Sequence, residues 1–391
     1  MSKKSVFLSL DNWYPYITGP NVVVENYTKH MNANGNKCSL IVPSFGKKTD
    51  AEVDSKRSFH PFRVKSIVLG PLGLSGATPN HDKKLWKLLD EEKPELLHSH
   101  TPFILGRYFA KYGKKHHIPT IMTVHTNYKN DFMRVTHSRL LTRFMTWYSL
   151  QNMNNTDYIW TVSNGAAELI RDFGYKGDIT VIRNGTDMTP LPEDKAKFYL
   201  DKLNSEYNLT GKENILLFVG RVVTSKNLEL IFDTLRLLNK GEKKFTMLIV
   251  GKGEMLKPYK KSTADLGENI IFTGEITDRD YLKAFYMRSD LFVFPSSYDT
   301  ASLVPIEAAT FSLPTILIKG CPTSETVQDD FSGFCEEPVA EKWAERINSI
   351  FADKEKLKTV SENAKKYVYR SWADVVREVE EHYDAILNKS K

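Results

Sequence analysis

Arg221 and Lys226 lie five residues apart in the run Gly220-Arg221-Val222-Val223-Thr224-Ser225-Lys226-Asn227. Arginine presents a planar fork of N–H donors and lysine a compact point charge, so the two can converge on one polyanion such as a diphosphate. A helix starting near Lys226 adds positive potential. Asp299 and Glu307 lie eight apart in Asp299-Thr300-Ala301-Ser302-Leu303-Val304-Pro305-Ile306-Glu307. A carboxylate there can accept two hydroxyls of a ribose or hexose, and Thr300–Val304 offers backbone N–H groups beside it. The same pair also suits a glycoside hydrolase, because spacing in sequence does not fix separation in space. His98 and His100 alternate along a strand and so share a face, as a metal pair or as polar residues at a strand end. Asp278-Arg279-Asp280 reads as the cap of a helix.

Strand and helix patterns alternate along the whole chain and would position these residues. Ser5–Leu10, Cys38–Pro43, Glu95–Ser99, Thr120–His125, Tyr158–Val162 and Thr180–Ile182 read as strands. Val22–Asn34, Phe103–Lys115 and Ser163–Phe173 read as helices between them. Asp187–Pro192 reads as a linker, after which the rhythm restarts. Asn214–Val219, Phe245–Val250, Ile270–Phe272, Leu291–Pro295 and Pro314–Ile318 are strands there. Leu228–Leu238, Glu254–Leu266, Asp280–Met287 and Pro305–Ala309 are helices. This βα rhythm predicts two doubly wound α/β domains whose ligands meet strand C-termini in a cleft between them. Ile67–Gly76 reads as a mobile loop over an acceptor or a packed connector. Val360–Leu387 reads as helical, too charged for a core, packing across the domain junction.

The 391 residues are 41% apolar and 26% charged, ordinary for a globular protein of two domains. No apolar run reaches the ~18 residues of a membrane span, and Ser5–Leu10 is too short for a signal peptide. Cys38, Cys321 and Cys335 form no Cys-x-x-Cys pair, which argues for a reduced, cytoplasmic chain. Residues 1–190 carry a net +9 and residues 191–391 a net −3, so the first half can face an anionic surface. Lys111, Lys114, Lys115, Lys129, Arg134, Arg139 and Arg143 concentrate there, either on a solvated helix face or against lipid headgroups. No nucleic-acid-recognition module is visible.

Taken together these motifs resemble the retaining, nucleotide-sugar-dependent glycosyltransferases of family four, whose fold is GT-B. Gly220–Lys226 is similar to that family's Gly-Arg-x5-Lys-type phosphate motif and Asp299–Glu307 to its Glu-x7-Glu motif. Asp299 replaces the first Glu and Ser302 a Gly, departures that bear on the donor sugar. Gly320–Glu325 and Val181–Asp187 resemble two further family stretches. Tyr14–Asn21 resembles the loop after strand one, where Gly19 would let the backbone approach the donor phosphate. Leu97–Phe103 and Thr123–Tyr128 resemble acceptor-side motifs. His-Thr-x-Tyr and Lys226-Asn227 look most like diacylglycerol glucosyltransferases and related glycolipid enzymes.

The resemblance implies an acceptor-binding domain over 1–188, a nucleotide-sugar domain over 189–365 and a C-terminal helix over 366–391. It implies metal-independent transfer of a hexose from a nucleotide sugar, UDP-glucose or similar, to a hydroxyl acceptor: a membrane lipid or glycolipid, a polysaccharide precursor or a small molecule. A sugar phosphorylase or a non-catalytic nucleotide-sugar-binding protein are alternatives on the same fold. His125, Arg221, Lys226 and Asp299 are the expected catalytic residues. Gly19, Gly220, Asn227, Gly251, Thr300, Ser302, Leu303, Val304 and Glu307 join Arg221, Lys226 and Asp299 around the donor. Tyr14, Thr126, Asn127 and Tyr128 join His125 around the acceptor. No cofactor is required and no metal site is expected. The expected setting is the cytoplasm, with peripheral binding to the inner face of the plasma membrane.

Overall fold

The computed structural model describes residues 3–14, 18–69, 74–209, 214–241 and 244–389. It divides into two compact units, Met1–Asn184 with Trp372–Lys391, and Gly185–Ser371. The first unit contains β1 (Ser5–Ser9), β2 (Lys37–Pro43), β3 (Phe62–Val64), a hairpin of β4 (Ser66–Leu69) and β5 (Leu74–Ala77), β6 (Leu96–Ser99), β7 (Thr120–Val124), β8 (Tyr158–Thr161) and β9 (Ile179–Val181). Apart from the hairpin these strands form a parallel sheet in the order β3-β2-β1-β6-β7-β8-β9. The second unit contains β10 (Asn214–Val219), β11 (Phe245–Val250), β12 (Ile270–Gly274), β13 (Leu291–Phe294), β14 (Thr315–Ile318) and β15 (Phe334–Glu336), parallel in the order β12-β11-β10-β13-β14-β15.

The crossover helices are α1 (Gly19–Ala33), α2 (Lys47–Asp54), α3 (Lys83–Glu92), α4 (Ile104–His116), α5 (Tyr128–Thr136), α6 (Arg139–Asn154) and α7 (Asn164–Asp172) in the first unit. The second has α8 (Glu193–Glu206), α9 (Leu228–Leu238), α10 (Leu256–Ser262), α11 (Arg279–Arg288), α12 (Val304–Thr310), α13 (Ala340–Ala352) and α14 (Lys354–Asn363). Covering both faces makes central strands apolar throughout rather than alternating. Ile215–Phe218 of β10 and Phe245, Met247, Leu248 and Ile249 of β11 accordingly lie in one core with Trp343 of α13. Each large side chain so buried contributes about 1.5–3 kcal/mol.

Two sequence expectations change and one is refined. Ile67–Gly76 is not an irregular loop: β4 and β5 pair antiparallel across it, with residues 70–73 outside the described set. Val360–Leu387 is helical but broken. The chain leaves α14 through a wide turn at Ala364–Val368 and restarts as α15 (Trp372–Lys389). The break lets the Arg370 carbonyl accept from the Thr186 amide at 2.8 Å. Helix α15 is not too charged for a core. Trp372, Val375, Val376, Val379, Tyr383 and Ile386 form one buried stripe at helical spacing, while the charges ride mainly on the other face. That stripe packs in the first unit, where Glu380 accepts from the Asn34 and Asn36 side-chain amides at 3.0 and 2.6 Å and Lys4 pairs with Asp384 at 3.0 Å.

Candidate active site

In an open parallel sheet, ligands bind beyond the strand C-termini where the strand order reverses. The reversals fall between β1 and β6 and between β10 and β13. The chain leaving β10 is Gly220–Lys226, and the chain leaving β13 is Ser296–Asp299. Two motifs separated by some seventy residues are therefore neighbours. Lys226 Nζ donates to Asp299 Oδ2 at 2.5 Å and lies 5.0 Å from the Phe294 ring centroid. Lys226 is buried in its pair with Asp299, while Arg221 is exposed and enters no ion pair among the described residues.

The backbone around this pair is closely packed. A Cβ on Gly251 would sit 1.8 Å from the Gly220 carbonyl oxygen, and Gly251 has φ +145°. Gly220 N–H donates to the Val250 carbonyl and Gly251 N–H to the Gly274 carbonyl, which ties the ends of β10, β11 and β12 together. Gly251 thus has a packing role in holding the Gly220 turn. Asn227 takes left-handed φ 53° and opens α9. Thr323 Oγ1 donates to the Asp299 carbonyl at 2.7 Å. Thr300 is buried, and Ser302, Leu303 and Val304 are half-buried before and at the start of α12. Glu307 is held by the Tyr286 hydroxyl, which donates to it at 2.8 Å; burial raises the pKa of its carboxyl. Asp299 and Glu307 are each engaged with a different partner.

In the first unit the ends of β1, β6 and β7 bring Asp11, His100 and His125 to one edge. His98, His100 and His125 form a buried stack. Ring centroids are 4.3 Å apart for the first two and 5.2 Å for the last two. His100 Nδ1 is 2.9 Å from His125 Nε2. His98 Nδ1 meets the Tyr383 hydroxyl at 2.6 Å and His98 Nε2 meets Thr123 Oγ1 at 2.7 Å. Stacked rings with both nitrogens of His98 occupied do not converge on one ion, and among the described residues no cluster of three or more His, Cys, Asp or Glu is placed to hold a metal. Burial lowers the pKa of all three, that of His125 to about 3, so they are neutral imidazoles near pH 7.

Gly19 opens α1, and among the described residues, its chain neighbours and its own helix backbone aside, no atom lies within 4 Å of where its Cβ would be. Thr18 N–H donates to Asn21 Oδ1 at 3.0 Å, fixing the turn. Residues 15–17 of the same motif lie outside the described set. The Tyr14 hydroxyl donates to Glu25 at 2.9 Å beneath the Arg57 guanidinium, 3.7 Å from its ring; burial pushes its pKa up to about 12. Of the remaining acceptor candidates, Thr126 donates to Asp131 at 2.7 Å and Asn127 caps α5. Tyr128 is buried in the core, against Phe103 and Phe132.

Sequence reading missed Asp11. Its carboxylate accepts from Thr101 Oγ1 at 2.6 Å and from the Leu105 amide at 2.8 Å, so it caps α4 from another strand. Desolvation raises its pKa to about 6 against those hydrogen bonds. Its one signal was its place directly after the first strand. Asp278 does cap α11, accepting from the Asp280 amide at 2.9 Å.

Two family models match the chain. "Glycosyltransferase Family 4" matches residues 17–189 and "Glycosyl transferases group 1" matches residues 201–367. The chain belongs to glycosyltransferase family four. Its fold is GT-B. An alpha-monoglucosyldiacylglycerol synthase of Streptococcus pneumoniae is 22% identical over 79% of this chain and 70% of its own. A GDP-mannose-dependent alpha-mannosyltransferase of Corynebacterium glutamicum is 24% identical over 80% and 71%. Among solved structures, Anabaena HepE in complex with UDP superimposes with a TM-score of 0.75 at 16% identity, covering 98% of this chain and all of that one (100%). This family-four glycosyltransferase has no described helix long and apolar enough to cross a membrane.

Proposed function

We propose that this glycosyltransferase moves a hexose, with retention, from a UDP-sugar to a hydroxyl of a membrane lipid or glycolipid. The observation that carries the donor side is the Lys226–Asp299 pair at the strand-order reversal of the second unit. An ammonium has three donors, so Lys226 can keep Asp299 while turning another N–H to a diphosphate. Arg221, exposed in the same turn, supplies the second charge. Together they stabilise the charge that grows on the leaving diphosphate, without a metal. Glu307, steadied by Tyr286, takes ribose hydroxyls. The backbone of Thr300–Val304 and the Asp299 carboxylate take the hexose. Gly19 leaves room for phosphate on the first unit.

His125 is the acceptor-side candidate. As a neutral imidazole it orients a hydroxyl without repelling a sugar carrying developing positive charge. The leaving phosphate takes the acceptor proton, on the same face from which the hydroxyl attacks. UDP is favoured by the bound nucleotide of HepE, whereas the mannosyltransferase relative is named for GDP-mannose. A lipid acceptor is supported by the synthase relative and by α6. There Leu140, Leu141, Phe144 and Trp147 are exposed on one face, with exposed Arg139 and Arg143 beside them. Such a face can settle into a headgroup layer on the cytoplasmic side.

The test is mass spectrometry of products from UDP-glucose, UDP-galactose, UDP-N-acetylglucosamine and GDP-mannose, each with diacylglycerol, monoglucosyldiacylglycerol and polyprenyl phosphate, with and without EDTA. We expect a UDP-sugar to yield a glycolipid product, α-linked, in EDTA. UDP should raise the melting temperature, and Arg221→Ala with Lys226→Ala should abolish the shift. A shift that survives the double substitution moves the diphosphate site elsewhere.

A further inference from the structure

A groove of about 650 Å³ runs along the outer side of α4, walled by α3 and by Tyr148 of α6. Its volume lies within the roughly 300–1,000 Å³ of small-ligand sites. None of the candidate active-site residues lines it. Along α4 its lining repeats every four residues in two rows. Arg107, Lys111 and Lys115 form a cationic row, and Tyr108, Tyr112 and His116 an aromatic one. Four residues of helix advance about 6 Å, so each row is a ladder about 12 Å long. The Tyr108 and Tyr112 centroids are 6.1 Å apart and those of Tyr112 and His116 4.1 Å. Trp86, 42% exposed, lines the groove from α3, its indole N–H held by the Pro79 carbonyl at 3.0 Å.

Tyr108 and Tyr112 are half-buried against the core and Arg107 lies 5.2 Å from the Tyr148 ring centroid, so packing fixes these three side chains while they still line the groove. The face of α4 buried on the sheet is made by Leu105 and Phe109, with Tyr108 and Tyr112 packed at its margin; Lys111 and Lys115 have no part in it. Lys111 and Lys115 are exposed and enter no ion pair among the described residues, although Asp90 lines the same groove. Aromatic faces bind the C–H faces of sugar rings, a row of cations binds regularly spaced anions, and a carboxylate accepts hydroxyl protons. A polymer charged at every unit, such as nucleic acid, would meet Asp90 with repulsion. A fluid lipid surface would find a recessed groove rather than the protruding apolar face of α6.

We infer that this groove is a binding site for an acidic oligosaccharide, whose rings lie against the aromatic row and whose carboxylate, sulfate or phosphate groups meet the cationic row. It starts at Ile104, next to the carboxyl edge of the sheet where His125 sits, and runs back along α4. It would hold the tail of a charged glycan at a distance from the reacting end. The choice of a saccharide rests on the glycosyltransferase reading; the groove's charge and shape do not.

The test is calorimetric titration of the full chain with a tetrasaccharide of alternating glucuronic acid and N-acetylglucosamine. Cellotetraose is the uncharged control, and dT8 and phosphatidylglycerol vesicles are run in parallel. We expect saturable binding of the acidic tetrasaccharide that weakens with salt, at least tenfold weaker in Lys111→Glu/Lys115→Glu, with cellotetraose weaker still. Trp86→Ala should also weaken it, independently of charge. UDP-induced stabilisation should be unchanged in these variants, which separates this site from the donor site. If UDP fails to stabilise the parent protein but the tetrasaccharide binds, the donor reading fails and the groove stands. Absence of tetrasaccharide binding, equal binding by the charge-reversed variant, or binding of dT8 or vesicles in its place through Lys111 and Lys115 overturns the proposal.

Discussion

The three histidines at the carboxyl edge of the first sheet give the molecule a pH dependence whose sign can be worked out. Burial lowers their pKa values below the unfolded value near 6.5. The unfolded chain therefore binds up to three protons that the native chain refuses once pH drops below about 6.5. Stability then falls on acidification, by about 1.4 kcal/mol per pH unit for each proton. Asp11 works in the opposite sense. Its native pKa of about 6 exceeds the unfolded value of 3.8, so its contribution is present at low pH and is lost as pH rises through about 6. Near pH 5 the histidines outweigh it by about two protons. Urea unfolding between pH 7.5 and 5 should show that slope for the first unit, and His100→Asn should reduce it by about one proton. A slope unaffected by the substitution would remove His100 from this account.

Elements carry the next two expectations. The turn after β10 keeps its shape because the turn after β11 touches it through backbone alone. Gly251→Ala forces a Cβ to within 1.8 Å of the Gly220 oxygen at a left-handed φ, so it should cost about 3 kcal/mol and weaken UDP binding, read by denaturant titration and thermal shift. Helix α6 belongs to the membrane reading. Phe144→Ser with Trp147→Ser should reduce co-sedimentation with anionic liposomes several-fold, and Arg139→Glu with Arg143→Glu should remove its salt sensitivity. UDP stabilisation should survive both. Sedimentation unchanged in all variants would place lipid contact elsewhere. The basic cluster of the first half thus divides in two: Arg139 and Arg143 flank an apolar face, whereas Lys111 and Lys115 line a groove.

At the scale of the whole molecule, α15 belongs to the same unit as residues 3–184. Trp372, Val375, Val376, Val379 and Tyr383 are buried against it, and at about 1.5–3 kcal/mol each they match a typical total stability of 5–15 kcal/mol. A chain stopped at Ser371 should lose the cooperative unfolding of residues 3–184, seen by calorimetry. Hydrogen exchange should show β10–β15 still protected. Retention of both transitions would show that α15 is dispensable.

The strands and their βα order were legible from sequence because strands covered on both faces become unbroken apolar runs; Asn214–Val219 and Phe245–Val250 have the same limits in sequence and structure. Family membership was legible because the turns after strands use residue types that few other turns need, such as Gly220 with Arg221 and Lys226. What sequence could not show is which distant residues meet. The reversal of strand order puts Lys226 on Asp299. The pairing of β6 with β7 puts His100 on His125. The return of the C-terminal helix puts Tyr383 on His98. Spacing along a chain sets local periodicity, whereas contacts between separate strands depend on how the whole sheet is ordered. For the same reason a count of charges misjudged α15, whose buried stripe is seen only once a partner face exists for it.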